Sequence, residues 1–167
     1  SYTCSLCGMT FSEELAPIAC PSAQFADVKP AGNWAHSGID FCVEQGLMNG
    51  MSAGKFSPDG TLTRAQLVTI LYRVAGQPEP TTSGTFTDLT ANWYKNAVEW
   101  AAANGIVKGY PDGTFRPNDP ITREQIAAIL YRFHAAAPAG TDRLSAFPDA
   151  DNVSGWAAEG MNWAVNE

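Results

Sequence analysis

Apolar residues recur at helical spacing in two pairs of segments along the chain. Intervals of three and four residues between apolar positions predict helices rather than strands. The first helix of each pair carries Trp34, Ile39, Phe41, Cys42 and Val43 in one copy and Trp93, Ala97, Val98, Trp100, Ala101 and Ala102 in the other. The second helix carries Leu67, Ile70, Leu71 and Val74, and then Ile126, Ile129, Leu130 and Phe133. Both second helices therefore present an apolar stripe wide enough for the centre of a core.

The helix pairs belong to an internal repeat. Three Phe-x-Asp motifs recur at equal intervals of about sixty residues, beginning at Phe25, Phe86 and Phe147. Each motif is followed by a tryptophan, namely Trp34, Trp93 and Trp156. A fixed period indicates that one supersecondary unit is reused and that neighbouring copies bury each other's apolar faces.

The repeat predicts the domain organisation. We assign residues 1–24 to a cysteine-containing N-terminal extension, 25–84 to the first repeat, 85–145 to the second and 146–167 to the first half of a third. The third copy has no second helix within this sequence. The predicted fold is all-α, built from helix-turn-helix repeats with the third repeat incomplete.

Glycines and turns are predicted to connect the two helices of a repeat. Gly46 and Gly105 lie where left-handed caps would end the first helices. Gly50 and Gly109 close the short apolar connectors that follow. Pro58-Asp59-Gly60 and Pro111-Asp112-Gly113 have the composition of turns, and we pair them as equivalents between the copies. Phe56 and Phe115 are expected to fill the core beneath these loops.

Capping boxes are predicted to begin both second helices. Thr63 with Gln66, and Thr122 with Gln125, have the Ser/Thr-x-x-Glu/Gln spacing in which side chains satisfy the unpaired backbone donors of a helix start. We therefore expect these helices to start at Arg64 and Arg123.

The composition excludes several classes of function. Charged residues make up 16% of the chain and hydrophobic residues 45%, which favours a packed core. A net charge of −7 argues against a nucleic-acid partner. No apolar run is long enough for membrane insertion. No phosphate loop or Ser/His/Asp order is present, and His36 and His134 do not recur, so we predict neither an enzyme nor a cofactor.

Four cysteines lie in the first quarter of the chain: Cys4, Cys7, Cys20 and Cys42. Disulfides are the favoured interpretation, a metal site the second and a redox centre the last. Cys4-x-x-Cys7-Gly8 resembles half of a zinc knuckle but lacks a second close pair. Four cysteines allow three pairings, and the sequence does not choose among them. Cys42 fits either a small core residue or a staple to the leading segment.

Arg64 and Arg123 are the residues that packing explains least. A cation at the first position of a helix opposes the macrodipole, at a cost of a few tenths to about 1 kcal/mol. One explanation is a surface arginine that pairs with an acidic neighbour such as Asp27 or Asp88. The other is an anion receptor, because a guanidinium fork beside a helix start suits a carboxylate or phosphate. A nearby tryptophan would add a flat surface for a sugar ring.

The order of these motifs resembles the S-layer homology repeat over residues 25–167. Phe-x-Asp, the tryptophan, the glycine-flanked connector, Pro-Asp-Gly-x-Phe and Thr-Arg-x-Gln follow one another as in that family. The family's Thr-Arg-Ala-Glu motif falls on Thr63–Gln66 and on Thr122–Gln125, with Gln in place of the final Glu. The resemblance implies three repeats in a pseudo-threefold bundle.

The resemblance also implies a function. It indicates an exported protein of the Gram-positive type, held non-covalently at the cell wall by an acidic, pyruvylated secondary cell-wall polysaccharide in grooves between repeats. The ligand-binding residues would be Arg64, Arg123, Asp27, Asp88, Trp34, Trp93, Gly50 and Gly109. The competing hypothesis is a structural or assembly module that joins protein chains without a glycan.

Two of these residue types have a packing explanation as well. The tryptophans begin apolar helices, which favours a position in the core over contact with a ligand. One Asp per repeat just before a helix favours a bond to the backbone over acid or base chemistry.

The incomplete third repeat predicts a gap. Without a third Thr-Arg helix, the apolar faces around Leu71 and Leu130 would lack a partner. A missing segment, a second chain or the leading segment could fill it. In the leading segment, Thr10-Phe11-Ser12-Glu13 is another capping box, which predicts a short helix with Leu15 and Ile18 toward the core and with Pro17 limiting its length.

Overall fold

The computed structural model describes residues 2–3, 10–11, 20–29 and 33–167. Within these residues the α-helices are α1 (His36–Glu44), α2 (Arg64–Val74), α3 (Asn92–Ala103), α4 (Arg123–His134) and α5 (Ala158–Ala164). Short 3-10 turns span Pro21–Gln24, Leu144–Ala146 and Ala150–Asn152. Strand β1 (Tyr2–Thr3) pairs antiparallel with β2 (Thr10–Phe11). The prediction of a helical fold is confirmed, with this small hairpin as an addition.

The chain divides into two compact units, Ser1–Gly60 and Thr61–Glu167. The division falls between the two helices of the first predicted repeat. The first unit contains α1, and the second contains α2 to α5. The repeat boundaries drawn from the sequence stay a prediction.

The predicted helix ends are confirmed. Gly105 has a φ of 69°, and the N–H of Ile106 donates to the Ala101 carbonyl over 2.8 Å, which is a left-handed glycine cap. Gly46 ends α1 in the same way, with a φ of 66°. The reciprocal bonds of a capping box are present between Thr63 and Gln66 and again between Thr122 and Gln125.

The core of the second unit forms where α2 packs against α3, next to the α4–α5 pair. Phe115 is completely buried in it, as expected. Leu71 is buried as well, so the expectation of an uncovered face at this residue is wrong. The reason is that α3 covers α2 and supplies Val98 and Trp100 to the same apolar cluster, against which Leu130 packs half-buried.

The pairing of the two Pro-Asp-Gly turns is wrong. Both segments form turns, but Pro111–Gly113 matches Ser52–Gly54 of the first repeat rather than Pro58–Gly60. Gly54 and Gly113 both have positive φ, 70° and 78°, and their carbonyls accept from matching loop N–H groups. The Pro58–Gly60 turn corresponds instead to residues 117–119. In each turn the N–H of the last residue donates to the carbonyl of the residue just before the turn, Ser57 or Arg116, and that residue has a positive φ.

The helix predicted from Thr10-Phe11-Ser12-Glu13 is also wrong at its first two residues. Thr10 and Phe11 form β2, with Phe11 opposite Tyr2 and Thr10 opposite Thr3. Threonine and aromatic residues favour strands when a partner strand is present. Leu15, Pro17 and Ile18 lie outside the described residues.

Helix α1 buries a different face from the predicted one. It begins two residues after Trp34 and buries His36, Ile39 and Asp40, while Phe41 is 58% exposed. This face is covered because α1 packs against the 3-10 turn Pro21–Gln24. On the same helix, Cys42 is a half-buried free thiol, so no disulfide forms at this residue; Cys4 and Cys7 lie outside the described residues.

None of the helices in the described part of the chain has the length and apolar character that crossing a lipid bilayer requires.

Candidate ligand-binding site

The start of α2 is joined by backbone hydrogen bonds to a loop of the second repeat. The N–H groups of Arg64 and Ala65 donate to the carbonyls of Asp119 and Pro117, each over 3.0 Å. The N–H of Ile121 donates in return to the carbonyl of Leu62 over 3.0 Å. The first N–H groups of a helix normally lack partners and can receive an anion. At α2 they are already used, so this helix start is closed to a ligand.

The Arg64 side chain is buried at the same junction. Its exposed fraction is 4%, its Nε donates to the Phe115 carbonyl over 2.8 Å, and its Nη1 donates to Gln125 Oε1 over 3.3 Å. The guanidinium carbon lies 4.6 Å from the centre of the Phe115 ring and 5.1 Å from that of Tyr110. The prediction of an accessible fork at Arg64 is therefore wrong, because the loop that contains Phe115 covers it.

Arg64 also carries a charge that no carboxylate balances at close range. Neither ion pair among the described residues includes it. Burial lowers the pKa of its guanidinium from the usual value, while Tyr110 and Asp119 act in the opposite direction. A second cation lies on the outer side, where Arg116 packs over the Tyr110 ring at 4.0 Å and pairs with Asp112. The hydrogen bonds from Thr114 and Arg116 lower the pKa of Asp112 to about 2.

Arg123, the equivalent residue at the start of α4, is in a different state. Its side chain is exposed. Among the described residues, no carboxylate lies within ion-pair distance of it, and no acceptor binds the backbone N–H groups of Arg123 and Glu124. The helix start and the cation that the sequence predicts as an anion receptor are therefore both available at α4.

Glu124 connects the start of α4 to the segment that precedes α5. Its carboxylate accepts from the backbone N–H of Ser154 over 3.0 Å and from the Ser154 hydroxyl over 3.2 Å. Trp156 follows two residues later and is 56% exposed. We call the Glu124–Ser154 contact, together with Arg123 and Trp156 on the adjoining chain, the Arg123–Trp156 edge.

The repeated tryptophans are exposed, so the expectation that they lie in the core is wrong. Trp34 is 92% exposed and Trp93 is 55% exposed. They stand just before or in the first turn of α1 and α3, and the neighbouring elements do not cover them there. A cavity of about 110 Å³ next to Trp34 is also lined by Lys29, Asn33 and Asp59. Its volume is far below the roughly 300–1,000 Å³ of ordinary small-molecule pockets, so it would admit only a small substituent.

Asp27 and Asp88 hold loops by hydrogen bonds. The carboxylate of Asp27 accepts from the N–H groups of Phe56 and Ser57 over 2.8 and 2.7 Å. Asp88 accepts in the same way from Phe115 and Arg116, both over 2.8 Å. For Asp27 and Asp88, these bonds confirm the expectation that the repeated Asp binds the backbone. Neither carboxylate forms an ion pair with Arg64 or Arg123.

Gly50 and Gly109 permit close packing of the Phe-x-Asp phenylalanines. A Cβ on Gly50 would lie 2.5 Å from the Phe25 ring and 2.8 Å from the Lys55 carbonyl. A Cβ on Gly109 would collide with the Phe86 ring and lie 2.6 Å from the Thr114 carbonyl. Packing accounts for glycine at both positions, and their binding of a ligand stays a prediction.

The repeated helix pairs, with capping boxes at the second helices and exposed aromatic residues beside the first, define a helical repeat module. The family model of the S-layer homology domain matches residues 24–68 and 85–127, together just over half of the chain. The chain therefore belongs to the S-layer homology family, which confirms the resemblance seen in its motifs.

Curated relatives agree with this assignment. The chain is 34% identical to an amylopullulanase of Thermoanaerobacterium thermosulfurigenes over 80% of its own length and 7% of that protein. It is 34% identical to a cellulosome-anchoring protein of Acetivibrio thermocellus, over 66% of the chain and 26% of that protein. It is 32% identical to the S-layer protein sap of Bacillus anthracis, over 70% of the chain and 14% of that protein. The chain thus spans only a small part of each of these relatives.

The family defines the general role. S-layer homology domains are non-catalytic anchoring modules, and the relatives of this chain include S-layer and cell-surface proteins as well as enzymes such as the amylopullulanase. The chain is accordingly a module of the extracellular cell surface, and the predicted location is confirmed.

Proposed function

We propose that the chain anchors its parent protein non-covalently to the cell wall by binding an acidic, pyruvylated secondary cell-wall polysaccharide at the Arg123–Trp156 edge. The observation that carries the proposal is the exposure of Arg123 at a helix start whose N–H groups have no acceptor among the described residues. The name of the cellulosome-anchoring relative supports an anchoring role.

The chemistry of the edge suits a sugar that bears a carboxylate. A guanidinium donates two parallel hydrogen bonds to a carboxylate, and the free N–H groups of a helix start add further donors. The pyruvate ketal of a wall glycan would supply that carboxylate. Trp156, two residues beyond Ser154, offers a flat apolar surface onto which a sugar ring can stack. An exposed tryptophan recurs in every repeat, and Trp34 and Trp93 offer the same kind of flat apolar surface to a sugar ring.

Arg64 has a positioning role in this proposal. Its hydrogen bond to the Phe115 carbonyl and its contact with Tyr110 hold the loop of the second repeat against α2. Asp27, Asp88, Gly50 and Gly109 act in the same indirect way, by fixing the loops that they bind or pack against. The two arginines of the Thr-Arg motif therefore have separable effects on stability and on binding.

Binding to purified cell walls tests the proposal. We expect Arg123→Ala and Trp156→Ala each to weaken binding by roughly 10- to 100-fold, the range of a lost charged hydrogen bond or an aromatic contact. Arg143→Ala, which removes another exposed arginine of the second unit, is the matched control and should bind like the wild type. The wild type should also bind more weakly, by a similar factor, to walls that have been chemically stripped of pyruvate.

Two outcomes would contradict the proposal. Equal binding of Arg123→Ala, Trp156→Ala and Arg143→Ala would exclude the edge as the ligand site. Undiminished binding to walls stripped of the whole polysaccharide would favour the alternative of an assembly module that associates with protein.

A comparison of the two arginines separates structure from binding. Arg64→Ala should lower the free energy of unfolding of the second unit by about 2–4 kcal/mol, because it leaves the buried Phe115 carbonyl unpaired and removes the cation–π contacts. Arg123→Ala should change it by less than about 0.5 kcal/mol, as is usual for exposed side chains. Urea unfolding followed by circular dichroism measures both. A large loss of stability in Arg123→Ala would show that its side chain is part of the fold.

A further inference from the structure

Three side chains of metal-ligating type meet inside the first unit. Cys20, His36 and Asp40 are 3%, 5% and 9% exposed, and one ligand atom from each lies within 4.8 Å of those of the other two. Cys20 precedes the 3-10 turn Pro21–Gln24, while His36 and Asp40 lie one helical turn apart on α1. Because a buried polar cluster is costly unless its groups are satisfied, this arrangement requires an explanation.

Among the described residues, the hydrogen bonds of His36 use only one of its two ring nitrogens. Its Nδ1 lies 2.8 Å from the Lys29 carbonyl, which is an acceptor, so Nδ1 carries the proton. In the neutral ring Nε2 then presents a lone pair. Nε2 is buried, has no hydrogen-bond partner among the described residues, and lies 3.2 Å from Asp40 Oδ2. An ionised carboxylate oxygen is also only an acceptor, so a proton or a metal cation must lie between the two atoms.

Asp40 is oriented in a similar way. Its Oδ1 accepts the backbone N–H of Ser22 over 2.9 Å, which turns Oδ2 toward His36. Metal-binding histidines and carboxylates typically use their second polar atom in such a bond, which fixes the direction of the ligand atom. Two ligand atoms on a tetrahedral zinc ion, at bonds of about 2.0–2.1 Å, lie about 3.3 Å apart. The observed separation of 3.2 Å between Nε2 and Oδ2 matches that geometry.

We propose that Cys20, His36 and Asp40 bind a zinc ion that links the 3-10 turn to α1. A thiolate, an imidazole and a carboxylate are all ligands that zinc accepts, whereas magnesium and calcium prefer oxygen alone. A metal held between the turn and the helix would stabilise the first unit, in which α1 is a short helix. The three protein ligands leave one position of a tetrahedral zinc ion for a water molecule or a further ligand, and the role of the ion is to hold the turn against the helix.

Zinc binding by the whole chain tests the proposal. The metal-free protein is dialysed against zinc chloride, and bound zinc is measured by elemental analysis. His36→Asn is the decisive variant, because the asparagine amide can still donate to the Lys29 carbonyl but offers no equivalent of Nε2. We expect its zinc affinity to fall by at least roughly 100-fold, since even the loss of an outer hydrogen bond costs 10- to 100-fold. Asp40→Asn, which keeps an acceptor for the Ser22 N–H, should also weaken binding.

Cys42→Ser is the matched control, because it removes a half-buried thiol of the same helix that is not one of the three proposed ligands. It should bind zinc like the wild type. A second measurement does not depend on the variants: zinc should raise the thermal midpoint of the wild type, and a chelator should lower it. Binding of cobalt, read as a thiolate-to-cobalt absorption band that is weakened in Cys20→Ser, would identify the sulfur ligand.

Two results would overturn the proposal. A wild type that binds no zinc, with the same thermal midpoint in zinc and in chelator, would show that a proton and not a metal lies between His36 Nε2 and Asp40 Oδ2. Zinc bound with full affinity by both His36→Asn and Asp40→Asn would assign the metal to other residues, such as Cys4 and Cys7.

Discussion

At the scale of single residues, the Phe-x-Asp carboxylates stabilise an unusual loop conformation. Ser57 and Arg116 have φ values of 62° and 58°, in the left-handed region that non-glycine residues seldom adopt. The carboxylate of Asp27 or Asp88 accepts the N–H of this residue and of the one before it. Two charge-assisted hydrogen bonds offset the backbone strain. An aspartate is therefore required here for loop geometry rather than for chemistry.

This role predicts a pH dependence for the first unit. Hydrogen bonds from the backbone, chiefly from Phe56, lower the pKa of Asp27. A lowered pKa in the folded state adds stability above the unfolded pKa of about 3.9, and that stability is lost as the pH falls through the folded value. Asp27→Asn should thus have a lower thermal midpoint than the wild type at neutral pH, and the difference should shrink below about pH 4.

Thermal unfolding followed by circular dichroism between pH 3 and pH 8 measures this difference. Asp59→Asn, a substitution in the exposed turn of the same loop, is the control and should follow the wild type. An Asp27→Asn deficit of equal size at pH 3 and pH 7 would show that the charge of Asp27 is irrelevant.

At the scale of elements, the α4–α5 contact depends on one glycine. A Cβ on Gly160 would lie 2.8 Å from the Cα of Ala128 and 3.1 Å from the Ala127 carbonyl. These are backbone atoms of a packed helix and cannot move aside cheaply. The absence of a side chain at Gly160 therefore sets how closely α5 approaches α4.

Two glycine-to-alanine substitutions should have opposite effects. Alanine has a higher helix propensity than glycine, worth about 1 kcal/mol in a helix interior. At Gly38 in α1, no atom of the described residues outside the local helix backbone lies within 4 Å of the new Cβ, so Gly38→Ala should raise the free energy of unfolding by part of this amount. Gly160→Ala should instead lower the free energy of unfolding by about 1–3 kcal/mol, because overpacking against α4 outweighs the gain in helix propensity. Chemical denaturation of both variants checks the signs, and a stabilised Gly160→Ala would mean that α5 can shift outward freely.

The helices and their contacts also show which features could be predicted from the sequence. Helix ends were predictable because capping boxes and glycine caps are formed by residues close together in the chain. The position of Arg64 was not, since its acceptor, the Phe115 carbonyl, lies 51 residues away. The buried face of α1 was missed for a related reason: periodicity showed Phe41 as apolar, but the turn that covers α1 selects the face of His36 and Asp40. The tryptophans were misplaced because a helical pattern does not say where along the helix its neighbour begins to cover it.

At the scale of the whole molecule, the net charge of the chain and the charge of the proposed ligand are both negative. The chain carries a net charge of −7, so an acidic polysaccharide is repelled at long range even if Arg123 attracts it at contact. The Debye length is about 30 Å at 0.01 M salt and about 10 Å at 0.1 M, so salt screens the long-range repulsion before it screens a direct contact.

We therefore expect the association rate with the polysaccharide to rise as salt increases from about 0.01 to 0.1 M. Surface plasmon resonance on immobilised wall polysaccharide measures this rate. The Arg143→Ala variant, with one more net negative charge, should show a steeper rise. A rate that falls with salt in the wild type would mean that a local positive field guides the ligand.

The hydrogen bonds at the beginning of α2 also constrain how such a chain can lengthen or shorten. Residues 117–121, which belong to the second copy, complete a helix of the copy before it. Duplication of one whole copy would supply a new helix together with the loop that finishes its predecessor. A deletion inside that loop would damage two copies at once. Evolutionary change in copy number, and any engineered array, should therefore proceed in steps of complete repeats.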